Sequence, residues 1–165
     1  MVERRSPKPL AGVRFPHRPH MENKKISVHA KGIIIHDGRL LGVKHTHDTS
    51  YFALPGGRLE WGEDIKECLT RELIEELGVA PEIGRFLYVH DFIDGNTQSV
   101  SFFFEIINTK DYLHTEHFKK THAHEIAEVC WMEPSYDTIP FLPKDLWEDF
   151  KMGNILSNQV KFIHD

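Results

Sequence analysis

The sequence predicts an α/β fold in which strands of a mixed sheet are flanked by two helices. Three observations predict it. Short apolar runs are separated by turn signals at Asp37-Gly38 and Asp94-Gly95-Asn96, which read as strands and hairpins. Leu69, Leu73 and Leu77 recur every four residues, the spacing of one buried stripe on an amphipathic helix. A second helical pattern, Leu142–Lys151, follows Pro140 and Pro143 near the end of the chain. Strands bracketed by helices in this way pack as an α/β/α sandwich. At 165 residues with 40% apolar content, the chain can bury one substantial core without cross-links.

The elements follow in order. Residues 1–25 carry seven Lys/Arg against two Glu, together with Pro7, Pro9, Pro16 and Pro19. They read as a basic, flexible arm or leader, and no apolar segment follows the charges as a signal peptide requires. Removing residues 1–20 is expected to leave activity unchanged. Residues 26–165 form the folded domain, with a net charge of -10 once the arm's +5 is taken from the total of -5. Ser27–His36 is a strand with mixed patterning, and Asp37-Gly38 turns it into Arg39–Lys44. Tyr51–Leu54 leads into Leu54-Pro55-Gly56-Gly57, a tight-turn sequence whose glycines let the backbone approach a ligand. A helix runs from about Asp64 to Leu77, with Glu63 and Asp64 at its start and Gly78 as its stop. Pro81–Asp91 and Ser99–Ile107 form a hairpin, and residues 109–122 read as a polar, mobile segment. Ala127, Val129 and Trp131 alternate as the inner face of a half-buried strand. Cys68 and Cys130 stand alone, without a CxxC pairing, which points to free thiols in a reducing cytosol. No apolar run approaches the ~20 residues that span a bilayer.

The chemistry is concentrated between Gly57 and Val79, GRLEWGEDIKECLTRELIEELGV, a stretch with six glutamates and a glycine near each end. Glu72 and Glu76 lie four apart and Glu75 lies three from Glu72, so their carboxylates share one helix face. Like charges at that spacing repel unless a cation sits between them. Mg²⁺ or Mn²⁺ suits an all-oxygen donor set better than zinc. An acidic helix face is more often merely solvated, but the double glycine, the acidic helix start and the glycine stop around this one favour a built site.

The same residues resemble the Nudix family. Gly57, Glu63, Arg71, Glu72, Leu73, Glu75, Glu76, Gly78 and Val79 fill every defined position of the Nudix box. The resemblance covers about a seventh of the chain and implies a metal-dependent hydrolase acting on a nucleoside diphosphate linked to another moiety. It implies metal ligation by Glu72, Glu75 and Glu76 together with the Gly56 carbonyl. Arg71 would brace the acids and Glu63 would orient a neighbouring carboxylate, both in support of the chemistry. Glu72, Glu75, Glu63 and Arg71 are thus the expected catalytic group, with Glu72 first choice as general base. Related enzymes often add a loop glutamate just before a strand that ends in tryptophan. Glu125 matches that placement and Glu128 is second. The His122/His124 and His45/His47 pairs read as solvated or substrate-facing imidazoles.

Substrate choice rests on residues outside the box. Members acting on ADP-ribose or diadenosine polyphosphates often carry a proline or tyrosine roughly 14 to 18 residues beyond the box, where this chain has neither. Nucleoside triphosphates and nucleotide sugars remain. Tyr51, Phe52, Phe102 and Phe104 are candidates to stack on a base, with at least two of the four expected to be strand core. Two other readings stay open: a nucleotide-sensing or protein-binding module that has lost hydrolysis, and an RNA 5′-end pyrophosphohydrolase. Intact box glutamates oppose the first, and an acidic domain opposes the second. No membrane or nucleic-acid partner is expected, and a homodimer is left open.

Overall fold

The computed structural model describes residues 24–114 and 124–164. Its strands are β1 (Lys25–Ile33), β2 (Ile35–His36), β3 (Arg39–His45), β4 (Asp48–Ala53), β5 (Gly56–Arg58), β6 (Ile83–Asp94), β7 (Thr97–Ile106), β8 (Ile126–Met132), β9 (Phe141–Leu142) and β10 (Lys161–His164). The helices are α1 (Ile65–Leu77) and α2 (Lys144–Lys151). One sheet runs β10-β6-β7-β1-β5, and the other runs β2-β3-β4-β9 with β8 also paired to β3. Both are mixed: β1 lies parallel to β7 and β4 to β9, while β1–β5, β6–β7 and β3–β8 are antiparallel. The expected α/β architecture holds. No helix among the described residues is long and apolar enough to cross a membrane.

Side-chain alternation along the strands divides the interior in two. Ala30 on β1 and Phe104 and Ile106 on β7 join Leu69, Leu73 and Leu77 of α1 in one cluster. Ile33, Phe103 and Tyr88 join Leu146, Trp147 and Phe150 of α2 in the other. The leucine stripe of α1 is fully buried, as its spacing predicts. Asp64 caps that helix: its carboxylate accepts from the Lys66 and Glu67 amides at 2.8 and 2.9 Å, while Glu67 reaches back to the Asp64 amide. This reciprocal cap satisfies amides that the first turn leaves without partners. Gly78 closes the helix with φ 79°, donating to the Ile74 carbonyl. α2 is tied to the first sheet through Asp149, which accepts from the Tyr88 hydroxyl at 2.8 Å and from Lys161 at 2.6 Å.

Several expectations need correction. Gly56-Gly57 does more than turn the chain; it forms the edge strand β5 against β1. Leu142 belongs to β9, and α2 begins only after Pro143, because the proline ring disfavours helical backbone at the residue before it. Thr109–Tyr112 is a 3₁₀ turn anchored by the fully buried Tyr112, whose hydroxyl donates to the Val79 carbonyl. Ala127 is exposed, while Val129 and Trp131 are partly buried as expected. The expected arm lies outside the described residues up to residue 23, and so do residues 115–123, His122 among them.

Candidate active site

The site is built on the β1–β5 pairing, which sets Lys31 opposite Gly56, Ala30 opposite Gly57 and His29 opposite Arg58. The two glycines are needed for different reasons. Gly56 has φ 116°, and a Cβ there would lie 2.3 Å from the Ala30 carbonyl oxygen. At Gly57 no positive φ intervenes, but a Cβ would lie 2.4 Å from the Glu72 carboxylate. The first glycine lets β5 close on β1, and the second leaves Glu72 room to lie against the strand. The Gly56 amide donates to Glu76 at 2.7 Å, and its carbonyl accepts from the Lys31 ammonium.

Arg71 organises the acids. Its Nε donates to Glu63 at 2.6 Å and its Nη1 to Glu72 at 2.8 Å and Glu75 at 3.0 Å. Its Nη2 reaches the Arg58 carbonyl at 3.0 Å and the second Glu63 oxygen at 3.2 Å. Glu63 is itself fixed by the Glu60 amide at 3.0 Å. Glu63 therefore touches the arginine rather than another carboxylate, and reaches Glu72 and Glu75 only through it. The bond to Arg71, then the Glu60 amide, hold the Glu63 carboxyl below its usual range. Those bonds, Glu63 first and Glu72 after it, raise the guanidinium's pKa.

Glu76 is the buried member, 3% exposed. Burial pushes its pKa up to about 7, against the opposing pull of Lys31 and the Gly56 amide. Burial likewise lowers the Lys31 pKa, while Glu76 and Glu72 favour its charged form. Among the described residues no three carboxylate, imidazole or thiol groups gather closely enough to hold an ion as they stand. The acid oxygens are turned instead to Arg71 and the Gly56 amide. The donor set still fits a hard divalent cation: Glu72, Glu75 and Glu76 with a carbonyl that already accepts from a cationic group, and no sulfur donating to it. Cys68 is fully buried, and burial pushes its thiol up to about 11, so it is not a thiolate donor.

Glu125 lies half exposed just before β8, and its carbonyl accepts from the Thr46 amide at 2.8 Å. Its side chain lies 3.7 Å from the His124 imidazole. Glu128 is otherwise engaged, pairing with the buried Lys44 at 2.7 Å.

A cleft of ≈ 630 Å³ opens between the two sheets, with Lys31, His29, His45 and Tyr51 in its wall. None of the box glutamates lines it, and Lys31 is its link to them through the Gly56 carbonyl. Burial and the nearby Lys31 hold His29 and His45 down to about 4, so both imidazoles are neutral at pH 7. The His45 and His47 rings stack at 5.4 Å. Of the expected base-stacking residues, only Tyr51 lines this cleft. Phe52 is completely buried, under Lys44 and edge-on to Tyr136, which leaves no ring face for a ligand. Phe102 packs beside Phe86 on the α1 side, and Phe104 with it. Alternation puts Phe103, not its neighbours, on the cleft face. Lys31, His29, His90 and Phe103 were not singled out from the sequence. The signal for the first two was there: polar residues at every second position of an otherwise apolar strand.

A family model for the NUDIX domain matches residues 27–148, and the chain belongs to that family. An ADP-ribose pyrophosphatase of Methanocaldococcus jannaschii is 34% identical over 87 residues, 49% of this chain and 52% of that protein. The chain thus spans about half the length of that curated relative. A MutT NUDIX hydrolase structure from Burkholderia pseudomallei matches with TM-score 0.60 at 23% identity, over 73% of this chain and 92% of that one. An ADP-ribose pyrophosphatase structure from Streptococcus suis matches with TM-score 0.57 at 16% identity, over 84% and 98%. At these identities the structural likeness bears on the fold alone.

Proposed function

We propose that this chain is a divalent-cation-dependent pyrophosphohydrolase that cleaves a nucleoside diphosphate linked to another moiety, a nucleotide sugar in preference to a nucleoside triphosphate. The reading rests on one observation: Glu72, held by Arg71, lies against Gly57 and Glu76 is held by the Gly56 amide, while the Gly56 carbonyl between these contacts accepts from Lys31, a residue of the cleft wall. A pyrophosphate bridge resists water because its own oxygens are negative. A divalent ion, when bound by Glu72, Glu75, Glu76 and the Gly56 carbonyl, supplies the neutralising charge and lowers the pKa of a water. Glu72 takes the proton from the attacking water, and Arg71 keeps its carboxylate in line by holding it to Glu63. Glu125, just before β8, would add a further acid to that ligand set.

The cleft lining favours a hydroxyl-rich leaving group. Ser99, Ser101, Asp94 and the neutral His29 and His45 offer hydrogen bonds, with Lys31 the cation among them. A third phosphate would call for more positive charge. An ADP-ribose pyrophosphatase among the relatives also supports a sugar-bearing substrate.

The test is Mg²⁺-dependent product release across nucleotide sugars, ADP-ribose, dinucleotides and nucleoside triphosphates. Turnover should be highest on a nucleotide sugar. Glu72→Gln should lower kcat by about 10²- to 10⁴-fold, the range of a positioned general base, with Tm unchanged. Near-normal turnover in that variant moves the base elsewhere. Ion binding with no turnover on any diphosphate would make the chain a sensing module instead.

A further inference from the structure

We propose that Lys31 is an exchangeable cation: its ammonium holds the Gly56 carbonyl beside Glu72 and Glu76, yields that oxygen to an arriving divalent ion, and then engages a substrate phosphate in the cleft. The inference rests on reading those acids as an ion site. Lys31 projects from β1 directly opposite Gly56, and its ammonium donates to the carbonyl that would serve as an ion ligand. Both flanking carboxylates attract it. An ammonium and a divalent ion crowded onto one carbonyl would repel strongly at low dielectric, so one excludes the other. The same side chain lines the cleft next to His29, His45 and Tyr51. A lysine's four-carbon stem carries a compact charge that can swing between acceptors. Displaced from the carbonyl, it has the cleft to turn into, where a diphosphate is the complementary charge.

The experiment compares wild type, Lys31→Met and Lys31→Arg. Isothermal titration with MnCl₂ alone should show Lys31→Met binding Mn²⁺ about tenfold more tightly, the equilibrium equivalent of a lost charge-assisted hydrogen bond. Lys31→Arg, which keeps the competing charge, should stay within about threefold of wild type. At saturating Mn²⁺, KM of Lys31→Met for the preferred substrate should rise about tenfold with kcat changed much less, the pattern of lost phosphate binding. Equal or weaker Mn²⁺ affinity in a folded Lys31→Met, or an unchanged KM, overturns the exchange. Should that variant fail to fold, the Lys31 ε-carbon resonance of wild type, assigned with Lys31→Arg, should move on adding Mg²⁺, and a fixed resonance overturns it. Absence of Mn²⁺ binding in all three proteins would instead sink the ion site itself; binding of equal strength in all three sinks only the exchange.

Discussion

Gly56→Ala and Gly57→Ala separate what holds the fold from what holds the chemistry. The two changes are adjacent and add one methyl group each. At Gly56 the new Cβ would meet the Ala30 carbonyl at 2.3 Å, in a backbone with φ 116°. Backbone cannot step aside as a side chain can. The disfavoured φ costs about 1–3 kcal/mol and the forced contact about as much again. For a domain of this size that sum of about 2–6 kcal/mol lowers Tm by roughly 4–24 °C. At Gly57 the new Cβ would meet the Glu72 carboxylate at 2.4 Å, and φ is not positive. The far end of a flexible side chain moves at a cost of about 1 kcal/mol or less, so Tm should stay within about 4 °C. Activity should do the opposite. Moving Glu72 away from its place against β5 removes the favoured base and a proposed ion ligand together, a loss of about 10²-fold or more in kcat. Differential scanning calorimetry and Mg²⁺-dependent turnover on the same preparations give both numbers. A Gly57→Ala protein with wild-type turnover, or one that melts as early as Gly56→Ala, would refute the argument that this glycine exists to seat Glu72.

Arg71→Lys should lower kcat/KM by about ten- to a hundredfold, because an ammonium cannot reach Glu63, Glu72 and Glu75 at once as the guanidinium does. Glu63→Gln should act through the same contact, so the double variant should lose little beyond Arg71→Lys alone; additive losses would show that Glu63 has a separate role. His29 gives a pH signature. Its folded pKa, about 4 against an ordinary 6.5, lies below the unfolded value, so the unfolded chain takes up the proton first as pH falls. Its contribution is present above about pH 6.5 and is lost toward pH 4. Glu76, raised to about 7, runs the other way, its contribution fading as pH rises toward 7. The informative quantity is therefore the difference in Tm between His29→Asn and wild type from pH 7 to pH 4.5. It should shift steadily in favour of the variant as the solution is acidified, and a difference that stays flat would show that His29 is not held neutral by its surroundings.

The parts of the fold legible in the sequence are those fixed by contacts within one element. The leucine stripe, the Asp64 cap and the Gly78 stop locate α1 without any knowledge of its neighbours, because caps and periodicity act within a few residues. The hairpin loop at Gly95-Asn96 was visible for the same reason. β10 was not. Its four residues, Lys161–His164, leave Phe162 exposed and hold their place by parallel pairing to β6, an element some seventy positions earlier. The β5 strand was hidden inside a turn motif, because only the approach of β1 makes an extended strand of two glycines. Thr109–Tyr112 looked polar because three of its four residues are, while the one that anchors it, Tyr112, is read as core only once Val79 is known to lie beside it.

The same division explains the site. Glu63, Arg71, Glu72, Glu75 and Glu76 share one helix and its entry loop, so spacing alone brings them within reach of one another. Lys31 contributes through strand register. One residue of slip along β1 would put Ala30 opposite Gly56 and turn the lysine toward α1, into the cluster of Leu69 and Leu73. Register is what converts an acidic helix face, which by itself would only be solvated, into a cluster with a cation at its open side. It also decides the aromatic question: Phe102 and Phe104 point with Ala30 toward α1, and Phe103 points with Lys31 toward the cleft. A stacking role assigned to a run of three phenylalanines is therefore a statement about one of them, and the parallel pairing of β1 with β7 selects which.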